Sequence, residues 1–149
     1  MLQEYRYSDV RTQATEAEAT AAEQRIAAAA LEARASAARA ALLGKSVTIK
    51  GHSRAKFNGV YLHDSEHEGW PVLKNAKGIY CYHYKQLEQW VLFSSHDLAT
   101  DFTDAYVKAP DGLLPLGAAV WQCWVGGDRR KNRLAEGSWV RKKLTLTLH

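Results

Sequence analysis

Between Arg11 and Leu43 the chain carries 15 alanines and no glycine, proline or aromatic residue, and this run ends abruptly at Gly44. Alanine, glutamate, glutamine, arginine and leucine are the strongest intrinsic helix formers, so an unbroken run of them specifies one long helix. Ser8 or Asp9 can cap its start, and Leu42-Leu43-Gly44-Lys45 places glycine where a helix ends in a left-handed residue. Glu16, Glu18 and Glu23 precede Arg25, Arg34 and Arg39, the order that the helix dipole favours. About 33 residues at ~1.5 Å each span ~50 Å, longer than a small domain is wide, so most of this helix should find no cover on its own chain.

Everything else in the chain has a different texture. All five tryptophans, both cysteines, all six histidines and every glycine and proline lie at 44–149. The chain of 149 residues therefore divides into an N-terminal Ala-rich helix, 1–43, and a Trp-rich domain, 44–149. Its net charge of +4 divides as well, because the five basic residues of 1–43 are outnumbered by six acids. No apolar stretch approaches the ~18 residues that cross a bilayer, and the first residues lack the order of a secretory signal; we expect an intracellular, cytoplasmic protein with no membrane span.

Eight short runs rich in Val, Ile, Thr, Tyr and Trp follow Gly44: Ser46 to Lys50, Gly59 to His63, Pro71 to Lys74, Gly78 to Tyr84, Gln89 to Ser94, Ala105 to Lys108, Ala119 to Val125 and Ser138 to Leu148. Turn signals such as Asn58-Gly59, Pro110-Asp111-Gly112 and Gly126-Gly127-Asp128 separate them, and no connection is long enough for a crossover helix. The fold class is thus all-β, a small antiparallel meander or barrel-like domain preceded by the long helix. Trp70, Trp90, Trp121 and Trp139 are the expected core, since a buried aromatic contributes ~150–250 Å² of covered surface.

Four constellations are candidates for function. Heptads read from Val10 align Ala14, Ala17, Ala21, Ala28, Leu31, Ala35, Ala38 and Leu42 in a small-residue seam broken by Gln24, which permits close approach of another helix in a partner or a second copy; a solvated spacer is the alternative. Arg129, Arg130, Lys131 and Arg133, with Arg141, Lys142 and Lys143 beyond them, form a basic hairpin whose segment 128–143 has a net charge of +5. Such a patch suits an acidic protein surface or anionic lipid head groups, less readily a nucleic acid, and a solvated face is the plain reading. Tyr80, Tyr82, Tyr84 and Trp124 lie on strands with aromatics on both faces and could line a glycan or peptide groove, unless both faces are covered. His63-x-x-x-His67, in an acidic loop, and Cys81-x-His83 with Cys123 have spacings that a metal tolerates without the paired short spacings of a zinc site, so no metal and no cofactor is expected.

Nucleophilic catalysis has little footing. Ser94-Ser95-His96-Asp97 holds the residue types of a triad, but sequence neighbours on a strand point to opposite faces and cannot converge on one atom. Neither G-x-S-x-G nor a complete phosphate loop occurs. No enzyme is expected.

The succession Phe57-Asn58-Gly59-Val60-Tyr61, Gly69-Trp70-Pro71-Val72-Leu73, Tyr80-x-Tyr82, Trp90-Val91-Leu92, Ala105-Tyr106, Pro115, Trp121-Gln122-Cys123-Trp124 and Trp139-Val140 resembles the tryptophan-rich β modules of large protist proteins, over roughly 46–147. In those modules the motifs mark turn and core positions and no shared catalytic residue is known, so the resemblance implies a binding or scaffolding module. Leu73 stands where the modules often have Tyr. The expectation is therefore a non-enzymatic interaction protein, with ligand recognition by the β domain as the second reading.

Overall fold

In the computed structural model the backbone is described for residues 2–94, 103–126 and 136–149, and side chains from Glu16 onward within those segments; the described residues form one α-helix and eight strands. Helix α1 runs Leu2–Leu42, and Gly44 ends it at φ +68°, with Leu43 and Lys45 donating to the carbonyls of Arg39 and Leu42. The strands are β1 (Ser46–Lys50), β2 (Gly59–His67), β3 (Trp70–Asn75), β4 (Tyr80–Tyr84), β5 (Gln89–Phe93), β6 (Ala105–Lys108), β7 (Gly117–Gly126) and β8 (Gly137–Leu148). Each pairs antiparallel with the next, and β8 returns to pair with β1, so the sheet closes as a barrel without edges.

The chain divides into two compact units, Met1–Ala33 and Arg34–His149. The division falls inside α1, about three turns before Gly44, because Ala35, Ala38 and Leu42 are buried in the barrel unit. That segment is held by polar contacts too. Arg39 donates to the carbonyl of Gly69, and Arg34 pairs with Glu88 at 3.8 Å, an exposed ion pair of small energetic weight.

Strand alternation fills the interior. Val47, Ile49, Tyr61, Leu73, Cys81, Trp90, Leu92, Ala105, Trp121, Cys123, Leu144 and Leu146 are buried at or near full coverage, and an eight-stranded barrel is just wide enough for side chains to fill it. Phe57, in a single 3-10 turn Ala55–Phe57, is buried as well, and Tyr61 Oη donates to its carbonyl at 2.7 Å. A second cluster, Val72, Tyr80, Tyr82, Val91 and Phe93, takes the opposite faces of β3 to β5, so these strands are covered on both sides.

Two expectations change. The acidic segment read as a loop after His63 continues β2 to His67, across a register shift between His63 and Ser65, and the chain reverses at Glu68 and Gly69, both at positive φ as a two-residue hairpin turn requires. Trp70, Trp90 and Trp121 are buried as expected, but Trp139 is only half-buried; it stands opposite Trp124 in the β7–β8 ladder, 5.5 Å away edge to face.

Candidate functional site

The helix seam meets two fates. Ala35, Ala38 and Leu42 are consumed by packing within the barrel unit and are unavailable to another helix. Ala17, Ala21 and Ala28 are exposed and Leu31 is half-buried; Ala14 lies outside the residues whose side chains are described. From Glu16 to Ala33 every side chain is exposed except the half-buried Ala22 and Leu31, and Ile26 shows 71% of its surface to solvent.

Around Gly112, which both Arg34 of the helix and the Trp70 ring approach, aromatic rings pack together. Trp70 stacks on His83 with ring centroids 3.6 Å apart, Trp90 meets both rings edge-on, and Trp90 Nε1 donates to the Gly112 carbonyl at 3.1 Å. Gly112 has φ +81°, and a Cβ there would lie 2.7 Å from the Trp70 ring and 3.1 Å from Arg34 Cβ, so glycine is required by both backbone and space. Beside this contact an apolar cleft of about 620 Å³ is lined by Ala38, Leu42, Leu113, Leu114, Leu116 and Leu148 among others. The sequence reading missed this cleft, since its walls come from segments far apart in the chain.

The aromatic side chains of β4 and β7 are largely covered. Tyr80 and Tyr82 belong to the second buried cluster, and Tyr84 and Trp124 are half-buried. Aromatics on both faces of β4 therefore signal two-sided burial, the alternative that the sequence left open.

Of the basic hairpin, Arg129, Arg130, Lys131 and Arg133 lie outside the described residues. Arg141, Lys142 and Lys143 are exposed on β8, but alternation separates them. Arg141 stands opposite Gln122 and Lys143 opposite Val120, on the outer wall, whereas Lys142 shares the inward parity of Leu144 and Trp121 and lies close enough to His52 to act on its charge.

His52 closes the barrel end remote from Gly112. Its ring stacks on Phe57 at 4.4 Å, its Nδ1 accepts from the Arg54 amide, and Asn58 bonds both to its N–H and to its carbonyl. Burial, with the positive charges of Arg54, Lys142 and Lys56, lowers its pKa to about 4. Burial alone lowers His83 to about 4. Nε2 of His52 and Nδ1 of His83 have no hydrogen-bond partner among the described residues. Both cysteines are free and buried; burial raises the Cys81 thiol far above its ordinary value and Cys123 to about 11. The Asp104 carboxylate accepts from the Ser94 amide and hydroxyl, yet burial still raises its pKa.

Among the described residues no three His, Cys, Asp or Glu side chains gather as metal ligands, and no helix is long and apolar enough to cross a membrane. Ser95, His96 and Asp97 lie outside the described residues. No protein-family model matches the chain, and no curated protein or solved structure is significantly similar to it.

Proposed function

We propose that the protein is a non-enzymatic interaction protein, in which the barrel is a docking head and the helix upstream of it packs against another helix, in a protein partner or a second copy. The observation that carries this reading is the exposure of α1 from Glu16 to Ala33. A solvated helix gains only its weak intrinsic propensity, whereas a partner laid along Ala17, Ala21 and Ala28 would add burial at close backbone approach. The filled interior supports the same reading, because tryptophan side chains occupy the space in which a barrel would hold a small molecule. Two free buried thiols suit a reducing compartment, in keeping with an intracellular protein.

Placing glutamate at Ala21 and Ala28 tests the proposal in the full chain. Both positions are exposed and helical, so the barrel should unfold at an unchanged midpoint. The assembly, read by light scattering or by co-purification with the partner, should dissociate. An assembly that survives both substitutions would leave the helix a spacer.

A further inference from the structure

We propose that the outer wall of β6, β7 and β8, with the end of β1, binds single-stranded nucleic acid through Lys108, Arg141, Lys143 and Lys50. Directly opposed strand residues share a face. Lys143 opposes Val120, Arg141 opposes Gln122, Gln122 in turn opposes Tyr106, and Lys50 opposes Thr145. Tyr106, Lys108, Val120 and Gln122 line one shallow depression of about 410 Å³. The four cations therefore stand on one continuous wall, all exposed and none in an ion pair among the described residues. The strands β1, β6, β7 and β8 contain no Asp or Glu, so nothing on them offsets these charges.

The ordinary use of such lysines does not account for them. Cations on a sheet edge deter edge-to-edge aggregation, but β8 is paired on both sides and the barrel has no edge to protect. Arg141 and Lys143 are two residues apart, ~6.6 Å along the strand, close to the step between successive phosphates of an extended strand, and Lys108 lies two strand spacings from Lys143, ~9.6 Å, within reach of a further phosphate for a long side chain. Among the described residues the wall offers no helix or projecting ribbon to enter a duplex groove. It does place between the cations the half-buried Gln122 and Tyr106, the latter 5.0 Å edge to face from the half-buried Trp139, an amide and an aromatic pair against which an unstacked base can rest.

The test is the salt dependence of anisotropy of a fluorescein-labelled 12-nucleotide oligouridylate with the full chain. Four phosphate contacts give a slope of log K against log salt of about −2.8, or roughly 50-fold weaker binding at 200 mM than at 50 mM. Changing Lys108, Arg141 and Lys143 together to alanine should flatten that slope by about 2.1, while changing Arg25, Lys45 and Lys85, which remove equal charge elsewhere, should leave it unchanged. If the triple variant unfolds at a lower midpoint, the single glutamine substitutions replace it, each expected to flatten the slope by about 0.7. Absence of binding, a slope indifferent to the wall variants, equal flattening by the control set, or stronger binding to polyglutamate or phosphatidylserine vesicles than to the oligonucleotide would each overturn the proposal.

Discussion

Trp90 is the residue whose removal reports most directly on how the barrel core is packed against the turn at Gly112. Its side chain has no exposed surface, and it meets Trp70 and His83 edge-on while donating to the Gly112 carbonyl. Trp90→Ala removes the ring and leaves a void lined by those partners, a loss of about 3–5 kcal/mol. Trp90→Phe keeps a ring and forfeits the indole donor, so it should cost about 1–3 kcal/mol, the penalty of leaving one buried carbonyl unpaired. For a unit the size of Arg34–His149, 1 kcal/mol corresponds to about 4 °C, which places the alanine variant some 12–20 °C lower in melting temperature. Urea unfolding followed by the fluorescence of the remaining tryptophans measures both variants, because the helical unit Met1–Ala33 contains no tryptophan and stays silent. A midpoint unmoved by Trp90→Ala, or a phenylalanine variant as damaged as the alanine one, would refute the reasoning.

Acid should weaken the fold in a defined window. His52 and His83 have folded pKa values of about 4, below the ordinary 6.5, so the unfolded chain takes up the protons first; stability is full above pH 6.5 and is lost as pH falls through 4. The slope between these limits approaches 1.4 kcal/mol per pH unit for each histidine, and His83→Phe, which preserves a ring against Trp70, should halve it in urea titrations at pH 4.5–6.5. Asp104, raised by burial, acts in the opposite sense at the acidic end. The cysteines should be inert to Ellman's reagent in the native protein and react at once in denaturant, since burial withholds both the thiolate and access to it.

Much of the barrel was legible because its strands are short, rich in branched and aromatic residues, and bounded by glycine turns; β1 and β6 were bounded correctly to the residue. The extension of β2 was hidden by Asp64, Ser65 and Glu66, whose solvent-facing polarity imitates a loop when nothing shows that Pro71 and Val72 pair with them. Burial of Tyr80 and Tyr82 was hidden for the converse reason, because alternation gives two faces without saying that both are covered. The seam on α1 reads the same from Ala17 to Leu42, so its division between self-packing at Ala35, Ala38 and Leu42 and exposure at Ala17, Ala21 and Ala28 needed coordinates. Likewise, the triplet Arg141-Lys142-Lys143 is one cluster in sequence and two in space, and Lys50 and Lys108 join its outer part only through strand pairing.

Closure of the sheet by β1 against β8 joins residues almost a hundred positions apart. On the ribosome, Val47 and Ile49 emerge long before Leu146 and Leu148 that will flank them, so the first strand waits with one side unmet until the last has been made. The helix has no such dependence, since its hydrogen bonds are local and form as it leaves the exit tunnel. The helix is thus complete while the barrel that follows it is still open.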